Sequence, residues 1–197
     1  MRTETTTRTL YTFDELSEEA KEKAIIRLYG LNVDGNDWHD AVYEDAKEIG
    51  KLIGIEISKI YFSGFSSQSD GACFEGHYAY AKGSVKAVKD YAPKDETLHG
   101  IAENLQHIQV GAFFHLYANV KQRGHYMHEN FTEIDVGNDY QDVTESQEEY
   151  IKTTLRDFMR WIYRQLEKEY EYLTSEEAII ESIKANEYEF TEDGKLV

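Results

Sequence analysis

The chain switches between stretches whose apolar residues recur at helical spacing and stretches in which apolar and polar residues alternate. Leu16, Ala20, Ala24, Ile25 and Leu28 share one helical face, which predicts a helix from a cap at Asp14 or Ser17 to about Tyr29, closed by Gly30. Trp38, Ala41, Val42, Asp45, Ala46, Ile49, Leu52 and Ile53 mark a second helix that Gly54 stops. A short helix is expected from Ser84 to Tyr91. Another, capped by Asp95 or Thr97, runs to about Gln109 on Leu98, Ile101, Leu105 and Ile108. The longest stripe, Tyr150 to Leu166, predicts a helix opened by a Ser146–Glu149 capping box and ending near Tyr172. A second box, Thr174 with Glu177, opens a last short helix.

Between the helices lie two hairpin patterns. Ile60–Phe65 and Ala72–Tyr80 are aromatic-rich runs flanking the polar loop Ser66–Gly71. Phe113–Gln122 and His125–Val136 read as a second hairpin turned by Arg123-Gly124. That register sets Val120 against Met127, Leu116 against Phe131 and Ala118 against Glu129 on an apolar face. Its other face pairs Lys121 with Tyr126, Asn119 with His128, Tyr117 with Asn130 and His115 with Thr132. Thr3–Thr12 suits an edge strand, and Tyr188–Phe190 with Lys195–Val197 a small C-terminal β-turn unit around Asp193-Gly194. The expected fold class is α+β: an antiparallel sheet built from two hairpins and covered by four to five helices, in a single domain over residues 1–197.

Charge narrows the partners. With 38 acidic and 21 basic residues the chain carries a formal charge of −17, a field that repels phosphate backbones and argues against direct binding of duplex nucleic acid. Basic protein partners, divalent cations, or mimicry of nucleic acid remain compatible with it. The single Cys73 precludes an intrachain disulfide, no apolar run reaches the ~20 residues of a membrane span, and the first residues lack the apolar middle of a signal peptide. A cytoplasmic protein away from membranes is expected. The 15 tyrosines exceed what a core needs and suit a wet binding face, in the monomer or in a homo-oligomer.

Candidate chemistry is thinner. His77, His115 and His128 can be imagined around one metal ion, but no ligand-spacing motif supports that, and His125 and His128 fall on opposite faces of a strand. Asn32–Asp37 lacks the glycine and glutamate positions of a calcium loop and reads as a turn. Cys73 lies inside an apolar strand, where thiols are inert, and Ser66, Ser67 and Ser69 lack a nucleophile elbow. Glu75, among aromatic neighbours, is the one carboxylate suited to acid–base work. The residues therefore assign no catalytic group, no metal and no cofactor, and favour a binding protein over an enzyme. The expected ligand-binding residues are Ser66, Ser67, Gln68, Ser69 and Asp70 of the loop, with His115, Tyr117, Asn119, Lys121, Tyr126, His128 and Asn130 of the polar-aromatic face.

IYFSGFSSQSDGACFEG at the first hairpin resembles a family of small, uncharacterised phage and prophage proteins, through its Tyr-Phe-Ser-Gly-Phe strand, Ser-Gln-x-Asp-Gly-Ala turn and Phe-Glu-Gly continuation. The likeness extends from YTFDELSEEAKEKAI to NEYEFTEDGKLV, with Ser69 standing where glycine is expected. Some members are labelled antitoxin-like. The resemblance implies a phage-encoded protein of the host bacterial cytoplasm. It is expected to bind a nucleotide-like signal molecule or a host protein in counter-defence. Two alternatives stand beside that: an acidic inhibitor, antitoxin or nucleic-acid mimic of a basic partner, and a metal-assisted or acid–base enzyme using His77, His115, His128 and Glu75.

Overall fold

Ile55, Ile60, Phe74, Tyr78, Leu116, Ala118, Val120 and Ile134 lie on one side of a four-stranded antiparallel sheet, and all are buried. The computed structural model describes residues 1–3, 7–35 and 37–197. Residues 4–6 of the expected Thr-rich strand and Asn36 of the expected turn lie outside the described residues. The sheet runs in the order β2 (Ile55–Ser63), β3 (Gly71–Ala79), β4 (Leu116–Gln122) and β5 (Thr132–Asn138). The two hairpins thus join edge to edge through β3 and β4. The fold is α+β, as the alternation and the helical stripes require.

Helices cover the apolar side. α5 (Glu145–Leu173) sets Phe158 edge-on to Phe74 of β3, and α4 (Glu96–Gly111) reaches Tyr78 through Gln109. α2 (Asp40–Leu52) packs on β2, and α3 (Ser84–Tyr91) on α4. The chain divides into two compact units. Residues 40–167 hold this sheet, and 1–39 with 168–197 form the other. In the second unit a two-stranded sheet joins β1 (Tyr11–Thr12) to β6 (Glu189–Phe190), beside α1 (Glu18–Arg27) and α6 (Glu176–Ala185). Phe13, Leu16, Ala20, Ala24, Ile179, Ile183 and Phe190 are its buried core.

The structure corrects several local expectations. β5 begins at Thr132, seven residues later than the expected His125, and pairs with β4 as Gln122–Thr132, Val120–Ile134, Asn119–Asp135 and Tyr117–Gly137. Residues 123–131 form a long loop ending in a 3-10 turn, Glu129–Phe131. The reason is packing: Thr132 and Ile134 alternate into the core opposite Gln122 and Val120, a face that Met127 and Glu129 cannot supply. α5 is opened by Thr144 and Gln147 instead of Ser146 and Glu149. The Gln147 N–H donates to Thr144 Oγ1 and the Thr144 N–H to Gln147 Oε1. Ser175, in place of Thr174, caps α6 by accepting from the Ala178 N–H. β2 reaches back to Ile55, five residues before the expected start.

One turn is strained. Phe113 and Phe114, just past α4, both have positive φ, 53° and 66°, a conformation that costs a bulky residue on the order of 1 kcal/mol each. Gln109 fixes that turn from inside. Its buried amide donates to the Leu116 carbonyl at 2.7 Å and accepts from the Leu116 N–H at 3.1 Å. The same amide donates to the Tyr78 hydroxyl at 3.1 Å.

Candidate functional site

The side of the sheet away from the helices is open. It carries Glu56, Ser58, Lys59 and Tyr61 from β2, Glu75 and His77 from β3, and Tyr117, Asn119 and Lys121 from β4. Pairing forces this company: Glu56 opposes His77, Lys59 opposes Glu75, and His77 opposes Asn119. A bulge between Ile57 and Lys59 turns Ser58 aside, and its hydroxyl donates to the Glu75 carbonyl at 3.0 Å. Beside the bulge is an open hollow of 660 Å³ lined by Glu56, Ile57, Ser58, Glu75, Gly76, His77, Val120 and Lys121. That volume lies within the usual range of small-molecule sites.

Three groups on this face are held in place. Tyr117 lies over Gly137 so closely that a Cβ there would collide with its ring, and it stacks on His77 with centroids 6.1 Å apart at 28°. His77 Nδ1 and Asn119 Oδ1 are 3.0 Å apart. With the proton on Nδ1, His77 donates to that oxygen, its Nε2 becomes an acceptor, and the Asn119 amide N–H₂ offers donors beside it. Glu75 accepts from the Tyr61 hydroxyl at 3.1 Å and from the Gln122 N–H at 3.3 Å. Lys59 sits 4.4 Å from the Tyr61 ring centre. The face thus offers a ring platform, an acceptor–donor pair and the cation Lys121, among carboxylates.

The expected ligand-binding residues fall into separate places. Tyr117, Asn119 and Lys121 share this open face. His115 lies beyond the start of β4, its ring 4.3 Å from Tyr140. Tyr126, His128 and Asn130 belong to the 123–131 loop at the opposite end of β4 and do not pair with Lys121, Asn119 and Tyr117. There Tyr126 packs on Phe131 at 5.0 Å, and His128 Nδ1 accepts from the Asn130 N–H at 3.2 Å. His128 does lie against the base of the first hairpin, where a Cβ on Gly71 would meet its Cα at 2.8 Å.

The Ser66–Asp70 loop is folded on itself. Asp70 Oδ2 accepts from the Ser67 and Ser66 N–H groups at 2.8 and 2.9 Å, and these bonds hold its carboxyl below the ordinary range. Ser67 Oγ takes the Ser69 N–H at 3.3 Å and lies 3.0 Å from Ser69 Oγ. Tyr163 of α5 anchors the loop, donating to the Gly64 carbonyl at 3.0 Å and meeting Phe65 at 5.5 Å. Gln68 is exposed. The Asp70 carboxylate and the Ser67 and Ser69 hydroxyls, which read as ligand contacts, are engaged in building the turn.

The three histidines of the metal reading are likewise dispersed, whereas Glu75 shares the open face and the hollow with His77. His77 bonds Asn119, His115 meets Tyr140, and His128 is 3.0 Å from Glu129. Among the described residues no group of three or more His, Cys, Asp and Glu is placed to hold a metal ion. Burial pushes the Cys73 thiol up to about 11, and it donates to Gln122 Oε1 at 3.3 Å. Sequence reasoning overlooked Gln109, and also Glu129, a buried carboxylate that accepts from Arg160 of α5 at 3.0 Å. Polarity within an apolar helical stripe was the available signal for Gln109; the pairing of Glu129 had none.

Fold and face together define an α+β protein with a one-sided antiparallel sheet whose open side is polar and aromatic. Residues 38–176 match the family described as Domain of unknown function (DUF8835), and the chain belongs to that family. The match takes in the whole sheet-bearing unit. No curated protein and no solved structure matches the chain. No helix among the described residues is long and apolar enough to cross a membrane.

Proposed function

We propose that this is a phage-type cytoplasmic binding protein, acting in counter-defence by holding a nucleotide-like molecule on the open sheet face without breaking a bond in it. The observation that carries this reading is the Tyr117–His77–Asn119 cluster beside the hollow. A base stacks on an aromatic platform for roughly 1–3 kcal/mol, whatever its identity. The acceptor on His77 and the donors on Asn119 supply edge recognition of the kind an asparagine gives adenine. Lys121 meets a phosphate. Glu56 and Glu75 repel a polyanion, which favours a compact nucleotide over a strand.

The test is a thermal-shift panel of nucleosides, nucleotides and dinucleotides on the full chain and on His77→Ala/Tyr117→Ala/Asn119→Ala. A ligand at 100 times its Kd adds about 2.7 kcal/mol, or roughly 5–10 °C for a chain of this size. The parent is expected to shift and the triple variant not to. The reading fails if no compound shifts the parent, if the variant shifts equally, or if the nucleotide is recovered chemically altered.

A further inference from the structure

At the far end of the sheet from the 123–131 loop, aromatic rings stand in solvent on a backbone that disfavours them. Phe113 is 74% exposed and Phe114 44% exposed, and both occupy the left-handed region. Helices commonly end on a glycine in that region, because a side chain there is crowded by its own backbone. Here the nearest glycine, Gly111, is spent inside α4, and the two left-handed positions carry phenylalanine. Neither residue is strained for want of room to relax outward. Gln109 locks Leu116, and the Phe114 N–H donates to the Gln109 carbonyl at 2.8 Å, so the turn is fixed from both ends.

The rings continue into a patch. Phe114 packs on Tyr80 with centroids 4.5 Å apart, and His115 on Tyr140 at 4.3 Å. Tyr140 is 78% exposed. Exposed Asp139 and Asp142 flank it, and Lys82 lies two residues from Tyr80. A strained conformation persists at a surface when what it presents is used there. Clustered exposed aromatics are the anchors that protein interfaces use.

We propose that Phe113, Phe114, Tyr80 and Tyr140 form a docking surface for a cationic segment of another protein, distinct from the nucleotide-like reading of the open face and independent of it. Charge decides the occupant. At −17 a second copy of the chain is repelled at long range, whereas a Lys/Arg-rich segment is drawn to Asp139 and Asp142 while its apolar residues bury the two phenylalanine rings.

A random-peptide display library panned against the full chain tests this, in parallel with Phe113→Gly and Phe113→Tyr. The retained pool is expected to carry more Lys and Arg than Asp and Glu, with at least one large apolar residue per peptide. Phe113→Gly should hold that pool about tenfold more weakly while melting no lower than the parent, because glycine accepts the positive φ; Phe113→Tyr should keep both binding and stability. Peptides that are neutral or acidic, equal retention by Phe113→Gly, or no retention above an unrelated acidic protein overturn the proposal. So does a lower melting temperature for Phe113→Gly, which would make the ring a packing element. Self-association that Phe113→Gly abolishes would assign the patch to a contact between copies and overturn the cationic partner.

Discussion

Replacing Gln109 by leucine tests the internal logic of the strained turn. The side chain is wholly buried at the end of α4, and leucine fills nearly the same volume without an amide. Three buried polar groups lose a partner: the Leu116 N–H, the Leu116 carbonyl and the Tyr78 hydroxyl. Each orphaned group costs about 1–3 kcal/mol. Two effects reduce the sum: leucine is easier to bury than an amide, and a freed turn lets Phe113 and Phe114 recover on the order of 1 kcal/mol each. The expected net loss is therefore about 3 kcal/mol, or roughly 6–12 °C in melting temperature at this chain length. Urea unfolding followed by Trp161 fluorescence in a Trp38→Phe background reads it, because Trp161 is buried and bonded to Asp95 at 2.8 Å within the sheet-bearing unit. Amide exchange at Leu116 should accelerate in the variant. A loss under about 1 kcal/mol with unchanged exchange at Leu116 would refute the clamp, since one orphan alone costs that much.

Other outcomes follow from burial. Cys73, raised to about 11 by its surroundings, should resist alkylation in the native protein at pH 8 and react fully once unfolded; stoichiometric labelling without denaturant contradicts its burial. Burial raises the Tyr43 and Tyr78 hydroxyls from 10.0 to about 12. Both groups bind their proton more tightly when folded, so their contribution is whole below pH 10 and is lost as pH rises to 12. Urea midpoints measured from pH 9 to 12 should fall across that window, and a flat profile would refute it. Arg160→Met leaves the buried Glu129 carboxylate without its cation. Removing one partner of a fully buried pair costs roughly 3–5 kcal/mol, and because Arg160 is partly exposed about 2 kcal/mol is expected, with Glu129→Gln/Arg160→Met recovering part of it. Additive losses in that double variant would show that the pair does not interact.

Helices were legible because their signals are local. Ser17 and Asp95, each one of two candidates the sequence offered, are the caps, since an N-cap depends on residues within one turn. The box opening α5 lies two residues before the expected one: Ser146 and Glu149 have the right spacing, but the reciprocal bonds join Thr144 and Gln147. The first hairpin was legible for the same reason: Ser63 opposes Gly71 across one short polar loop. What the sequence hid was an odd slip in the second hairpin. The expected pairs summed to an odd number and joined even residues of β4 to odd residues beyond the turn. The observed pairs, such as Val120–Ile134, join even to even. Because side chains alternate with period two, such a slip moves one strand's entire set to the other face. His128 and Asn130 were misplaced further still, because they lie in the loop and 3-10 turn before β5 and pair with no residue of β4.

The same parity argument explains what survived. Tyr117, Asn119 and Lys121 share a face by alternation within β4, whatever strand lies opposite, so no error of register can separate them. Their neighbours from β3 depend instead on the β3–β4 pairing, which two hairpins read independently do not contain. His77 was therefore noticed as a histidine and missed as the partner of Asn119. Substitutions should begin with the three β4 residues, whose company the strand itself guarantees. His77→Ala then separates a cluster from a row. If the four act as one surface, removing His77 frees the Asn119 amide and loosens Tyr117, and the effects of His77→Ala and Asn119→Ala on ligand-induced shift fall short of additive. Strict additivity would mean that each side chain meets the ligand alone, and the paired acceptor and donors of the recognition argument would have no basis.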